Sequence, residues 1–98
     1  MENVKEIAEL LKVLANENRL LIVCYLLESP MTVSELHINL NYLTQSALSQ
    51  HLSILKAHRI LESNKNGLSI TYAIQDMRIR SVIQVLKENY CNYQFVEL

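Results

Sequence analysis

The feature that most constrains the fold of this 98-residue chain is a single change in its hydrophobic period. Before residue 59 the apolar residues recur mainly every three or four positions, which is the spacing of helices. From Leu68 to Ile74 they occupy every second position and alternate with Ser69, Thr71 and Ala73, as in a half-buried strand. Helical spacing then returns. This pattern predicts a mainly α domain that carries one short strand ribbon.

The helices have recognisable beginnings and ends. Helix 1 carries Val4, Ile7, Leu11 and Leu14 on one face. Asn16 is the predicted N-cap of helix 2, which is apolar all round and ends before a proline at position 30. Helix 2 is therefore the expected central, buried helix.

The second half predicts a helix-turn-helix followed by a hairpin. Thr32 to Glu35 match the T-x-x-E capping box that begins helix 3, and Thr44 caps helix 4 after a short turn. A strand at Ile60–Ser63 and the strand that starts at Leu68 flank Asn66-Gly67, the pair typical of a type I′ turn. Asp76 then caps helix 5. The predicted order is ααααββα, a winged helix-turn-helix, with residues 1–98 as one domain.

Composition excludes several classes of protein. Half of the residues are hydrophobic and there is one Gly and one Pro, so a disordered or linker-rich chain is excluded. The acidic, amphipathic start does not resemble a signal peptide, and the longest apolar run, Leu20–Leu27, is too short to span a bilayer. We therefore expect a cytoplasmic protein without a membrane partner. Residues 41–80 hold five basic and two acidic side chains, which suits contact with phosphate.

Helix 4 combines an apolar stripe with an unusual polar face. Leu48, Leu52 and Leu55 form the stripe, whereas the opposite face is rich in Ser and Gln and has almost no charge. Serine is a mediocre helix former, so three serines on an exposed face need a reason. Gln pairs bidentately with adenine and Ser bonds to either donor or acceptor edges, so reading of bases is one explanation. A polar surface helix without special purpose is the other.

The apolar stripes at the two ends of the chain predict a dimer. Helix 5 carries Ile79, Val82, Ile83, Leu86 and Tyr90 on one face, and helix 1 has a similar stripe. Helix 2 already serves the single core, so helices 1 and 5 are assigned partly to a homodimer interface. Such a dimer would hold two copies of helix 4 about 34 Å apart, for a palindromic site in double-stranded DNA.

Three segments resemble the ArsR/SmtB family of winged-helix repressors. They are LKVLANENRLLIVCYLL, TVSELHINLNYLTQSALSQHLSILKAHRILES and SITYAI, and SALSQHL is the most specific part. The resemblance implies a homodimeric repressor that leaves DNA when an inducer binds. It also implies that Thr44 to His58 form the recognition helix. Its groove-facing side chains and the residues at the wing tip would then contact DNA. The DNA-binding residues predicted are Thr44, Gln45, Ser46, Ser49, Gln50, His51, Ser53, Lys56, Lys65 and Asn66.

The metal sites of that family do not match this chain. One family site needs Cys-x-Cys on helix 3, where this chain reads Ser34-Glu35-Leu36-His37-Ile38 without a thiol. The other needs Asp and His on helix 5, which has no His here. His51 and His58 lie two turns apart on one helix, too far to chelate one ion. We predict no metal site and no cofactor.

The two cysteines remain open to two interpretations. Cys24 suits a small core hydrophobe, and Cys91 suits a surface thiol at the end of helix 5. Their positions also resemble the thiol-based subgroup related to HlyU and BigR. That resemblance implies a redox-sensing pair that links, directly or through added sulfur, when a sulfane-sulfur compound or an oxidant acts as inducer, and that DNA affinity then falls.

Three other functions compete with the thiol-controlled repressor. A metal-responsive repressor with a non-standard site is one, and a winged-helix dimerisation or docking module without specific DNA binding is another. A thiol enzyme is disfavoured, because the sequence has no CxxC motif, no Cys–His pair that it can place together and no Gly-rich cofactor loop.

Overall fold

The computed structural model describes residues 2–90, which form five helices and one small antiparallel sheet. The elements in chain order are α1 (Val4–Leu14), α2 (Glu17–Leu26), β1 (Met31–Thr32), α3 (Val33–Asn39), α4 (Gln45–Ala57), β2 (Leu61–Asn66), β3 (Ser69–Ile74) and α5 (Met77–Tyr90). This arrangement confirms the predicted winged helix-turn-helix, with one strand more than the ααααββα order contains.

The helices begin at the capping residues that the sequence indicates. Asn16 accepts a hydrogen bond from the backbone N–H of Arg19, at 3.1 Å. Thr32 and Glu35 form the reciprocal capping box, with N···O distances of 3.1 and 2.8 Å. Asp76 accepts from the first-turn backbone of α5. Each cap satisfies N–H groups that have no partner within the helix, which is why it fixes the first residue of the helix.

The additional strand, β1, forms the edge of a three-stranded sheet in the order β1-β3-β2. Met31 pairs with Tyr72 and Thr32 with Thr71. Two residues are too few to show an alternating pattern, and their partners lie some forty positions along the chain. The sequence therefore did not predict β1, which joins the start of α3 to the base of the ribbon.

The hairpin turn lies one residue later than predicted. Asn66 pairs with Ser69, so the central residues are Gly67 and Leu68, and only Gly67 has a positive φ, of 65°. That pattern is typical of a type II′ turn, whereas the predicted type I′ turn at Asn66-Gly67 needs positive φ at both central residues. The register that aligns buried Leu61 with buried Ile74 decides the position of the turn.

The core lies where α2, the inner faces of α3, α4 and α5 and the base of the ribbon meet. Within α2, Ile22 and Val23 are completely buried, in agreement with its predicted central position. The other buried apolar residues are Leu14, Leu26, Leu27, Leu36, Leu40, Leu48, Leu52, Leu55, Ile60, Leu61, Tyr72, Ile74, Ile79 and Ile83.

The outer helices leave much of their apolar surface exposed. On α1, Val4, Ile7 and Leu11 are exposed, and only Leu14 is buried. On α5, Ile79 and Ile83 are buried, but Val82, Val85, Leu86 and Tyr90 are exposed. Because water contact with so many apolar side chains is unfavourable, these two faces are suited to burial against another surface.

Replacing a core leucine of α4 should destabilise the protein far more than replacing the leucine of the hairpin turn. Leu52→Ala should lower the free energy of unfolding by about 2–5 kcal/mol, because it removes buried methyl groups and leaves a cavity. Leu68→Ala should change it by no more than about 0.5 kcal/mol, since Leu68 is fully exposed. Urea unfolding at one fixed protomer concentration measures both, and similar losses would contradict this packing.

Candidate nucleic-acid interface

The candidate recognition helix, α4, is held by its apolar stripe. Leu48, Leu52 and Leu55 are completely buried, which confirms the predicted stripe. At the start of the helix, the Thr44 side chain accepts a hydrogen bond from the backbone N–H of Ala47, at 3.0 Å. The helix is thus anchored along one side and capped at its beginning, and its other side is left to solvent.

Two side-chain hydrogen bonds fix the turn between α3 and α4. The His37 ring donates through Nε2 to the carbonyl oxygen of Leu43, at 2.8 Å. The Tyr42 hydroxyl donates to Oδ1 of Asn18, at the start of α2, at 2.6 Å. Both contacts reduce the freedom of the turn, so α4 leaves it in a defined direction.

The end of α4 is a Schellman motif that directs the chain into the ribbon. The backbone N–H of Ile60 bonds to the carbonyl of Leu55 and that of Arg59 to the carbonyl of Lys56, at 3.0 and 2.9 Å. Arg59 has a φ of 60°, in the left-handed region where glycine is usual. Its exposed side chain is therefore kept next to Lys56, at the same end of the helix.

The polar face of α4 points to solvent over its whole length. Gln45, Gln50 and Lys56 are exposed, as are all three serines of the predicted face, Ser46, Ser49 and Ser53. Thr44 is exposed as well. The structure therefore brings nine of the ten predicted DNA-binding residues to the surface, six of them on α4, one at its N-cap and two on the ribbon.

His51 differs from these nine residues, because its side chain is half-buried and lies against Arg19. Its ring is half-buried, and Nδ1 lies 3.4 Å from Nη1 of Arg19 on α2. Burial, and to a lesser extent the charge of Arg19, lower the pKa of His51 below its usual value. The expectation of a groove-facing His51 came from the family resemblance, carried over by position, whereas its contact with Arg19 involves a residue 32 positions away.

The ribbon lies beside the beginning of α4, across a shallow groove. Lys65 and Asn66 are exposed in β2, close to the turn. Burial along β3 falls steadily towards the tip, from Tyr72 to the fully exposed Leu68. A shallow groove between the ribbon and the starts of α3 and α4 is lined by Thr32, Val33, Ser34, Gln45, Ser49, Leu68, Ser69 and Ile70.

The sequence prediction missed Leu68 and Ser34 as parts of this surface. The alternating pattern assigned Leu68 to the half-buried face of the strand, but the ribbon extends away from the core before that residue is reached. Its position next to Asn66-Gly67, at a hairpin turn, was the available signal.

The redox pair predicted from the sequence is described only in part. Cys24 is half-buried in the middle of α2, packed against the core cluster. Cys91 follows directly after the last residue of α5 and lies outside the described residues. Whether the two thiols lie close together therefore stays a prediction.

The described residues form neither a metal cluster nor a membrane-spanning helix. Within residues 2–90, no group of three or more His, Cys, Asp or Glu side chains is arranged to hold a metal ion. None of the helices in this range has the length and apolar character required to cross a membrane. His37, His51 and His58 instead contact Leu43, Arg19 and Ile54, respectively.

The second helix of the helix-turn-helix has a buried apolar stripe and an exposed polar face, and an antiparallel ribbon follows it. This arrangement defines the class of winged-helix DNA-binding proteins. Comparison with known proteins specifies the family. Residues 16–63 match the model of the bacterial regulatory proteins of the arsR family. The chain is 39% identical over 82 residues to the transcriptional activator HlyU of Vibrio cholerae. The aligned region covers 84% of this chain and 75% of that protein.

Solved structures agree with the sequence comparison. Reduced HlyU from Vibrio cholerae superimposes with a TM-score of 0.86 at 37% identity, over 92% of this chain and 94% of that one. The transcriptional repressor BigR from Xylella fastidiosa gives a TM-score of 0.84 at 31% identity, over 92% and 91%. The chain belongs to the ArsR family and is a transcriptional regulator, not an enzyme.

The environment of His51 makes stability depend on pH in a defined direction. An unfolded histidine binds its proton below about pH 6.5, whereas the folded state resists protonation until a lower pH. The stability that this gives is therefore present in full above about pH 6.5 and is lost as the pH falls through the folded pKa. Urea unfolding between pH 7.5 and 5.5 should show a larger loss for the wild type than for His51→Gln. Equal losses would contradict this assignment.

Proposed function

We propose that this protein is a homodimeric repressor that reads a palindromic operator with α4 and releases it when Cys24 and Cys91 become linked. The observation that carries the DNA-reading part is the exposed Ser- and Gln-rich face of α4, backed by three completely buried leucines. A rigid helix with short hydrogen-bonding side chains matches the major groove of DNA, which is wide enough to admit an α-helix. Such a regulator acts in the cytoplasm, together with its DNA.

Base edges are read by the uncharged residues of this face. Gln45 and Gln50 suit the bidentate pairing of a carboxamide with adenine, and the three serines accept from or donate to either kind of edge. His51 is left out of this reading set, because its ring is half-buried against Arg19. Thr44 stands at the beginning of the helix, where it is exposed and its hydroxyl accepts from the backbone N–H of Ala47.

The cations around this face position the protein without specifying sequence. Lys56 and Arg59 lie at the end of α4, and Lys65 lies near the tip of the ribbon. These exposed cations suit contact with phosphate oxygens on either side of the groove. Asn66 and Leu68 extend the same edge at the wing tip. Because only a few cations per protomer are available, most of the discrimination must come from the uncharged residues.

Removal of one reading residue should weaken specific binding selectively. Gln50→Ala should raise the Kd for a duplex from upstream of its own gene roughly 5- to 150-fold, the value of one bidentate base contact. Its affinity for an unrelated duplex should be unchanged, because phosphate contacts are retained. Fluorescence anisotropy at fixed salt measures both.

Gln84→Ala provides the matched control, since it removes an exposed glutamine of α5 that lies off the apolar stripe. It should leave both affinities at the wild-type value. A wild-type protein that binds both duplexes equally would contradict the proposal and favour a docking module.

The dimer is proposed from the exposed apolar faces of α1 and α5, and the occupant is a second copy of this chain. The two faces are adjacent, since Ile7, Leu10 and Leu11 line one cleft together with Ile79 and Val82. A two-fold axis through such a surface lets the same patch of both protomers bury its apolar area, and two-fold dimers are the commonest homo-oligomers. It also repeats α4 at the spacing of one DNA turn.

The thiol switch is supported by the positions of the cysteines and by the relatives. Cys24 lies in α2, which packs against α4 and α5. In the sequence, Cys91 is the next residue after the end of α5, one of the two helices proposed for the dimer interface. One of the similar solved structures is that of reduced HlyU from Vibrio cholerae. A link between the two cysteines would therefore connect the core helix to the dimer helix.

The chemistry of the switch needs only an external sulfane sulfur or peroxide. One thiolate attacks the terminal sulfane sulfur of a polysulfide and forms a cysteine persulfide. The leaving group is the rest of the polysulfide, which is shorter by one sulfur atom. The second thiolate attacks the cysteine-bound sulfur of that persulfide and expels hydrosulfide. The two cysteines are then joined as a disulfide, both thiols are oxidised, and one sulfane sulfur is reduced to sulfide.

Treatment with sodium tetrasulfide should release the wild-type protein from its operator. We expect the Kd to rise roughly 5- to 150-fold, which is the usual range of coupling between two sites. Mass spectrometry should then find the peptides of Cys24 and Cys91 joined directly or through added sulfur.

Cys24→Ser and Cys91→Ser should bind the operator and stay bound after the treatment, with Cys24→Ala as a second variant that preserves the packing of α2. Release of these variants by tetrasulfide would contradict the thiol mechanism. Release of the wild type by zinc, cadmium or arsenite would instead favour a metal-responsive repressor.

A further inference from the structure

Arg19 connects three helices at one point. Its backbone N–H bonds to the N-cap Asn16, its Nε donates to the carbonyl oxygen of Val13 at 2.6 Å, and its Nη1 lies 3.4 Å from Nδ1 of His51. Val13 is in the last turn of α1, Arg19 in the first turn of α2 and His51 in the middle of α4. One guanidinium thus spans from a dimer helix to the recognition helix.

We propose that Arg19 is a positioning residue for operator recognition, which ties α4 to the end of α1 through neutral His51, and that protonation of His51 breaks this tie. The inference rests on the proposed DNA-binding function and adds a residue that does not itself contact DNA. It also assigns His51 a role different from that of a direct DNA contact.

The tie adds a directional contact to the leucine stripe. Apolar contacts are not directional, so Leu48, Leu52 and Leu55 limit the rotation of α4 about its own axis through packing alone. His51 directly precedes Leu52 and lies at the edge of the stripe, so a hydrogen bond there acts against rotation. Bidentate base contacts tolerate little displacement, and Gln50 is the immediate neighbour of His51 in the chain.

The contact requires the neutral imidazole. Arginine has only donors, so Nδ1 of His51 must accept and Nε2 must carry the hydrogen. A protonated ring has no acceptor and places a second positive charge beside the guanidinium. The elements that pack against α4 are α2, α3 and β2. Their charged groups are Glu17, Arg19, Glu35, His37, Glu62 and Lys65. Of these groups, only Arg19 acts on the pKa of His51.

The sign of the pH effect separates this tie from a direct DNA contact. If His51 touched a phosphate, its protonation would strengthen binding as the pH falls. If it accepts from Arg19, protonation weakens operator binding. Effects of pH on the rest of the protein and on the DNA are common to the wild type and His51→Gln, so the difference between these two proteins isolates His51.

The experiment is an anisotropy titration of the wild type and His51→Gln, between pH 8 and pH 5.5, with the duplex from upstream of its own gene. The Gln amide oxygen can still accept from Arg19 and does not titrate. We expect the wild-type Kd to rise relative to that of His51→Gln as the pH falls. A ratio that stays flat, or that changes in the opposite direction, would overturn the proposal.

Arg19→Met tests the tie from its other end. It should raise the operator Kd roughly 2- to 30-fold and remove the pH-dependent difference, since His51 then has no donor to lose. Lys12→Met, which removes an exposed cation near the end of α1, should keep both at the wild-type value. If Arg19→Met keeps the pH effect, the proposal is wrong. If the wild type shows no preference for its own duplex at pH 8, the proposed function fails, and the inference fails with it.

Discussion

The burial of Leu48, Leu52 and Leu55 is the interaction on which the rest of the structure depends. These side chains attach α4 to α2 and to the base of the ribbon, and all three are completely buried. Each contributes roughly 2 kcal/mol or more of stabilisation by removal from water. Because this side of the helix is committed to the core, the opposite side is free to carry glutamine and also serine, a mediocre helix former whose low helix propensity would otherwise be a disadvantage.

Local interactions explain why much of the fold was predictable from the sequence. The caps at Asn16, Thr32 and Thr44 each act on a backbone N–H three residues later, so their signals are contained in four consecutive letters. The stripe of α4, from Leu48 to Leu55, likewise lies within eight consecutive residues. These elements were predicted with their correct order and nearly correct bounds, and the candidate reading face of α4 followed from them.

Long-range pairings explain the features that were missed. Strand β1 exists because Met31 finds Tyr72, and the hairpin turn is displaced because Leu61 pairs with Ile74. His51 is half-buried because it lies against Arg19. In each case the deciding partner lies between 13 and 41 residues away, and no local pattern contains it. The contact of His51 with Arg19 therefore changed the set of proposed base-reading residues, whereas the small differences in helix bounds did not.

In the proposed mechanism, α4 reads the DNA sequence, the core and Arg19 position α4, and the two cysteines control DNA binding. Dimethyl sulfate interference on the duplex that the protein binds most tightly tests its central claim, because the reagent methylates N7 of guanine in the major groove and N3 of adenine in the minor groove. We predict two clusters of interfering guanine N7 positions, on one face of the DNA and centred about 34 Å apart. Interference confined to adenine N3, or a single cluster, would contradict reading of a palindrome by two copies of α4.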